Sequence, residues 1–188
     1  MARWEPNARE RLQRSALELF GERGYEQTTV EDIATRAGLT KRTFFRHFAD
    51  KREVLFDRTD ALVDLMATTI ADAPADTAPI DAIAAAAEAA AAMIEDRADL
   101  SRARQRVIAA SPELRERELV KFASMADRVH AALHERGVPE PDAELVAEAG
   151  ITVLRVAYER WSGDDDGPPL PEVVRAARAP LRGVAAPT

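Results

Sequence analysis

Apolar side chains recur along this chain at intervals of three and four residues, the repeat that gathers them on one face of an α-helix. In "NARERLQRSALELFGERG" they are Leu12, Ala16, Leu19 and Phe20; Asn7 after Pro6 offers an N-cap, and Gly21 and Gly24 stand at the stop. A second, shorter stripe of Val30, Ile33, Ala34 and Ala37 ends at Gly38, and Thr28 three residues before Glu31 has the spacing of a capping box. After the turn "AGL", Thr40 can cap a third helix whose Phe44 and Phe48 lie one turn apart and face inward. Asp50 and Glu53 then open a long fourth helix carrying Val54, Leu55, Leu62, Leu65 and Met66.

"APADTAP", residues 73–79, is a proline-punctuated joint. Beyond it "IDAIAAAAEAAAAMIEDRADL" favours helix strongly, and its alanines read as compositional drift mixed with close packing. "SRARQRVIAA" predicts a short helix, and Ser111–Pro112 opens a long one reaching Gly137 with Leu114, Leu119, Phe122, Met125, Val129 and Leu133 as its stripe. The next helix, within "PEPDAELVAEAGITVLRVAYERW", is apolar on more than one side, as expected of a helix wedged between its own core and a partner subunit. "SGDDDGPP" is a solvent loop, and a last helix from Pro171 to Pro180 is built around Val173, Val174 and Ala177, with Pro180 ending or kinking it. No alternating strand pattern competes, so the spacing predicts an all-α chain of about nine helices.

Composition narrows the chemistry. At 188 residues, 46% apolar and 31% charged, the chain can bury a core and reads as a soluble globular protein. It has no cysteine, which removes disulfides, thiolate nucleophiles and Cys-ligated zinc, and fits a reducing cytoplasm. The N-terminal residues lack an apolar leader and no run of about 18 apolar residues occurs, so neither export nor membrane spanning is expected.

Charge is divided unevenly. Residues 1–58 hold 12 Lys and Arg against 10 Asp and Glu, a net of +2, whereas residues 59–188 hold 14 against 23, a net of −9, within an overall −7. Lys41, Arg42, Arg46, His47, Lys51 and Arg52 cluster within a dozen residues. A local basic face of this kind matters more for docking on nucleic acid than the global sum.

Helix, glycine-containing turn and helix over residues 29–48 form a helix-turn-helix, whose second helix enters the DNA major groove. Ile33, Leu39, Phe44 and Phe48 would set the angle between the helices. Lys41 and Arg42 have the reach to contact guanine O6 and N7, and Thr43 can touch a thymine methyl or a base edge. Thr40 can donate to phosphate, and Arg46, His47 and Lys51 are spaced to neutralise the backbone, which implies a steep salt dependence.

The stretch "LELFGERGYEQTTVEDIATRAGLT" followed by "KRTFFRHFADKREVLF" resembles the N-terminal domain of the tetracycline-repressor (TetR) family of bacterial regulators, over residues 8 to 56. The resemblance implies a homodimer on a palindromic operator, an all-α C-terminal domain with a pocket for a small-molecule effector, and release of DNA when the effector binds. It implies a repressor in the cytoplasm, with a DNA-binding domain at 1–56 and a ligand-binding and dimerisation domain at 57–188. The family's DNA contacts would fall on Thr29, Thr40, Lys41, Arg42, Thr43, Phe45, His47 and Lys51. Position 45 departs from the pattern, because the family usually has a tyrosine there whose hydroxyl reaches a phosphate. By analogy the helices from about 80 to 136 enclose the pocket, with Met66, Met93, Phe122, Met125 and Tyr158 as lining or as plain core. The last two helices would form the dimer interface, through Val146, Gly150, Val153, Ala157 and Val174.

Other chemistries have less behind them. His130 and His134 share a helix face, yet no further ligand motif joins them, so no metal is expected, nor any cofactor beyond the effector. Arg97, Arg102, Arg104 and Arg106 could receive an acidic ligand such as an acyl-CoA, although neighbouring acids favour a salt-bridged surface. No nucleophile elbow or phosphate-cradling loop is present, and enzymatic activity is not expected. The alternative is a helical scaffold or an enzyme of another kind whose basic face does not touch DNA.

Overall fold

The caps explain where the first helices begin and end. In a computed structural model that describes residues 8–184, with side chains as far as residue 179, α1 runs Ala8–Arg23, α2 Val30–Arg36 and α3 Lys41–His47. The N-cap expected at Asn7 lies outside the described residues. Thr29, rather than Thr28, caps α2: its hydroxyl accepts from Asp32 N at 3.1 Å while Asp32 Oδ2 accepts from Thr29 N at 3.0 Å. Thr28 is buried instead, and its hydroxyl faces the carbonyls of Gly24 at 2.9 Å and Leu19 at 3.3 Å, which ties the loop to the end of α1. Thr40 caps α3 as its position predicts, accepting from Thr43 N at 3.1 Å. Between α2 and α3 the backbone turns through Gly38 at φ +66°, a conformation that strains a residue bearing a Cβ.

The expected long fourth helix is broken. Glu53–Phe56 is a 3₁₀ turn, and α4 starts afresh at Thr59 and ends at Asp72. Asp50 Oδ1 accepts from the backbone N–H groups of Arg52 (2.8 Å) and Glu53 (3.1 Å), which starts the 3₁₀ turn. Val54, Leu55 and Phe56 are all buried, three consecutive side chains that no single helix stripe accommodates, and Asp57 is held by Arg9 of α1. On α4 the buried face is Val63, Met66 and Ile70, with Leu62 and Leu65 half-buried beside it.

Helix α5 spans Pro79–Glu95, α6 Ala98–Ala109, α7 Pro112–Glu135, α8 Asp142–Ser162 and α9 Leu170–Val184. The described residues contain these nine α-helices, the 3₁₀ turn and no strand. They divide into two units: residues 8–57 with 102–115, and residues 58–101 with 116–184. The inclusion of 102–115 in the first unit is not anticipated by a single division near residue 57.

The first unit packs α1 against α2, α3 and the 3₁₀ turn around Leu12, Leu19, Phe20, Ile33, Phe44 and Val54, all at or near full burial. Residues 102–115 add buried Val107, Ile108 and Leu114. Arg104 fastens this segment, its Nε donating to Leu55 O at 2.6 Å and its guanidinium lying 5.1 Å from the Phe56 ring centre.

In the second unit α5 is central and touches α4, α8 and α9. Its alanines are therefore packing: Ala82, Ala86, Ala87, Ala90 and Ala91 are buried, and side chains this small let three helices approach one. At Gly150 of α8 a Cβ would lie 2.1 Å from Ile83 Cγ1, so α5 and α8 meet closer there than any other residue allows. On α7 the stripe differs from the expected one, since Leu119 is 59% exposed and Glu118 is buried. α9 does not stop at Pro180; the helix continues to Val184, because proline removes only its own N–H and the surrounding turns remain bonded. The α9 N-terminus is held by Leu170 N donating to Glu95 Oε2 at 2.7 Å.

Candidate nucleic-acid interface

The exposed face of α3 follows from its buried one. Phe44 is fully buried and Phe48 nearly so, their ring centres 5.5 Å apart. With about 100° per helical residue, Lys41, Phe45, Arg42 and Arg46 then fall in that order over an arc of about 140° that begins about 60° from Phe44. All four are exposed, and Thr43 and His47 are half-buried at the margins.

Ion pairing separates two populations of basic residues in this unit. Arg9 is paired with Asp57, Arg36 with Glu22 at 2.8 Å and Glu18 at 3.6 Å, and Arg52 with Asp50 at 2.8 Å and Glu113 at 3.2 Å. These pairings carry titration signatures. The Arg36 hydrogen bonds hold Glu22 below the ordinary carboxylate range; burial pushes Asp50 upward, but Arg52 and the two backbone N–H groups outweigh it and its carboxyl is also lowered. By contrast Lys41, Arg42 and Arg46 have no hydrogen-bonding or ion-pair partner among the described residues.

The remaining sequence candidates are already engaged. Lys51 Nζ donates to Tyr25 O at 2.9 Å and Thr28 O at 3.3 Å and lies 4.1 Å from the Tyr25 ring centre, so one N–H is left to face outward. Burial, with Glu113 next, pushes the Tyr25 hydroxyl up to about 12. The Thr29 hydroxyl donates to Asp32 Oδ2 at 2.6 Å and accepts from Asp32 N, leaving it an acceptor only. These Thr29 contacts also lower the Asp32 carboxyl, so it stays charged. Thr40 and Thr43 share one hydrogen bond at 2.9 Å, so one of the two hydroxyls can donate outward. Burial, then Arg46 and Arg9, lowers His47 below the ordinary imidazole range, so the free protein carries it neutral near pH 7. Phe45 is 51% exposed and stands edge-on to Phe44.

In the second unit Met66, Met125 and Tyr158 are core residues, Phe122 packs against that core, and Met93 is half-buried. The Tyr158 hydroxyl donates to Ser101 O at 2.8 Å. Gly150, Ala157 and Val174 are buried within the single chain, as is Val153, and Val146 is half-buried against the same core. Gly150, Val153 and Val174 form the floor of a shallow apolar notch edged by exposed Ile80 and by Ala149. The exposed line along α8 is Leu145 and Thr152, with Ala149 and Val156 half-buried between and beyond them. Arg104, one of four arginines considered for an anion site, is committed to Leu55 and Phe56, and Arg97, Arg102 and Arg106 each have partners of their own. The roles of Arg104, Glu113 and Tyr25 in holding the first unit together carry no local sequence signal, because their partners lie far along the chain.

No group of three or more His, Asp or Glu that could hold a metal ion occurs among the described residues, and no helix there is long and apolar enough to cross a membrane.

Comparison with known proteins agrees with this geometry. Residues 13–57 match the model for bacterial regulatory proteins of the tetR family, and residues 77–185 match that for the MftR C-terminal domain. The chain is 41% identical over 88 residues to the HTH-type transcriptional regulator TcmR of Streptomyces glaucescens, a match covering 47% of this chain and 39% of TcmR. It is 27% identical over 167 residues to MftR of Mycobacterium tuberculosis, covering 80% of this chain and 77% of that one. The crystal structure of PfmR, a TetR family transcriptional regulator from Thermus thermophilus, superposes with a TM-score of 0.55 at 29% identity, covering 94% of this chain and all of PfmR. With its helix-turn-helix and its larger C-terminal region both matched, the chain belongs to the tetR family of bacterial regulatory proteins, with a C-terminal domain of the MftR type.

Proposed function

We propose that this chain is a repressor that binds a palindromic operator as a homodimer and is released by a small-molecule effector, acting in the cytoplasm and without catalysis. The observation that carries this reading is the set of three unpaired cations, Lys41, Arg42 and Arg46, on one exposed face of α3. Cations left unpaired while their neighbours are matched with acids have phosphate or base edges as their natural counterparts. Lys41 and Arg42 read bases, and Arg46 with the outward donor of Thr40 or Thr43 grips the backbone. Thr29, His47 and the remaining N–H of Lys51 are further contacts, each requiring a local adjustment. Residues 1–56 form the DNA-binding domain and residues 57–188 the effector-binding and dimerisation domain.

Self-association uses α8 and α9, where the Leu145 to Val156 line and the notch over Gly150 are open to a second copy. The effector site involves the core around Met66, Met93, Phe122, Met125 and Tyr158. An effector can shift the DNA-binding equilibrium only by its differential affinity for the two states, and a change from 1:99 to 99:1 requires about 5.5 kcal/mol of preference.

Selection of bound sequences from random duplexes tests the reading, with the full chain at two salt concentrations. An enriched inverted repeat is expected, bound with a log–log salt slope on the order of −2 for the two Arg46–phosphate contacts of a dimer and steeper by about 1 for each further phosphate neutralised. Lys41→Ala and Arg42→Ala should weaken that binding and relax the base preference while leaving the helical signal intact. Absence of enrichment at low salt by folded protein would reject it.

A further inference from the structure

We propose that Phe45 reads the C5 methyl group of a thymine in each operator half-site. The inference rests on the DNA-binding reading and extends it to a specificity contact that carries no charge and no hydrogen bond. Phe45 is one of few large apolar side chains left exposed in the described residues, at 51%. Its position on α3 falls between Lys41 and Arg42 around the helix, so the ring stands inside the cationic face rather than at its edge. The ring is also held: it meets Phe44 edge to face, centres 5.6 Å apart and planes at 83°, and Phe44 is itself locked in the core against Phe48. An anchored aromatic ring loses little further freedom when it docks.

The chemistry of the groove selects the partner. A phenyl group can neither donate to nor accept from a phosphate oxygen, so the backbone contact open to a tyrosine hydroxyl is closed to it. The cations bring the helix to the DNA, and a ring lying between the two base-reading side chains, Lys41 and Arg42, faces base edges as they do. Among the groups on those edges only the thymine methyl is apolar. A ring at the centre of the face therefore finds its one favourable base contact there. The deoxyribose of the backbone is the competing apolar surface, and it carries no sequence information.

The experiment uses the full chain and the inverted repeat recovered by selection. Each thymine is replaced in turn by deoxyuridine, which deletes the methyl group alone, and binding is followed by fluorescence anisotropy at the lower salt concentration, where phosphate attraction keeps weakened variants measurable. For the native chain one thymine per half-site should give a loss of roughly threefold to fivefold, the effect of one buried methyl group. In Phe45→Ala the same replacement should have no further effect, and in Phe45→Tyr, which keeps the ring, the loss should persist. Thermal melting of both variants should match the native chain, because the side chain is exposed. A half-site with no fixed thymine overturns the proposal, as does a deoxyuridine penalty that survives in Phe45→Ala. Phe45→Ala that weakens every duplex equally, with no thymine singled out, assigns the ring to the sugar backbone and also overturns it. These outcomes leave operator binding intact, whereas failure to select any repeat sinks the DNA-binding reading and this inference together.

Discussion

Gly150→Ala tests the close approach of α8 to α5. In an unhindered helix interior this change stabilises by about 1 kcal/mol, the difference in helix propensity. Here the new Cβ would meet Ile83 Cγ1 at 2.1 Å and Cδ1 at 2.9 Å. Carbon atoms in contact normally lie about 3.5 Å or more apart, so Ile83 must retreat by about 1.4 Å. Cγ1 is bonded directly to a β-branched Cβ whose rotamer in a helix is nearly fixed, and Ile83 is buried at 1% exposure among alanines, so rotation gives no escape. An overpacking penalty at the upper end of the usual range, about 3 kcal/mol, leaves a net loss of about 2 kcal/mol and lowers the melting temperature of the second unit by about 5–10 °C. The assay is thermal and urea unfolding followed by far-UV circular dichroism, at matched protomer concentration because the proposed self-association would add to stability. Ile83→Ala alone should cost about 2–5 kcal/mol, but adding Gly150→Ala to it should cost nothing further, so the cycle yields a coupling of about 2 kcal/mol or more. An additive cycle, or a stabilised Gly150→Ala, would refute the packing argument. Unchanged melting with weakened self-association would instead make Gly150 a partner-facing residue first.

Lys51→Met removes two charge-assisted hydrogen bonds to Tyr25 O and Thr28 O and the contact with the Tyr25 ring, and should destabilise the first unit by about 1–3 kcal/mol on thermal melting. Its effect on the log–log salt slope of DNA binding should stay below about 1 per protomer, since one N–H at most is free to reach a phosphate. His130 is held above the ordinary imidazole range by its hydrogen bond to Glu140, and that bond lowers Glu140 in turn. The His130 contribution to stability is therefore complete below the unfolded value of about 6.5 and is lost as pH rises through the folded one; the Glu140 contribution is lost as pH falls through its own lowered value in acid. An NMR titration should find His130 ionising above its ordinary value, and Glu140→Gln should bring it back. His47 runs the other way: burial lowers it, so stability falls as pH drops below about 6.5. Should His47 also grip a phosphate, operator binding must take up a proton, which appears as tighter binding between pH 7 and pH 6 that His47→Gln abolishes.

What was legible in the sequence was whatever short-range physics decides. Phe44 and Phe48 one turn apart, the Thr40 cap and Gly38 at the turn are settled within ten residues, and the structure repeats them. The cap of α2 was not legible at single-residue precision, because Thr28 and Thr29 both have an acid three residues on; burial of Thr28 against α1 decides between them. The break at residues 57–58 depends on Arg9 and on a three-residue apolar run satisfied only by the assembled first unit. Alanine content in α5 was ambiguous for the same reason, since small side chains declare their purpose only when neighbouring helices are known. The expected stripe on α7 includes Leu119, which is exposed, because apolarity alone does not fix burial, and Glu118 occupies the inward position.

The charges on α3 show what the structure adds to a list of basic residues. Six basic or potentially basic side chains cluster between Lys41 and Arg52, and the sequence alone gives each of them equal standing. Folding spends some of them internally: Arg52 on Asp50 and Glu113, Lys51 on two carbonyls, and His47 in a half-buried neutral ring. Three remain unpaired, and all three are exposed on α3. An overall charge of −7 is therefore no obstacle to nucleic-acid binding, since in the first unit acids such as Asp57 and Glu22 are engaged with other basic residues and leave Lys41, Arg42 and Arg46 unpaired on α3. Local pairing, rather than net charge, decides where this chain can hold DNA.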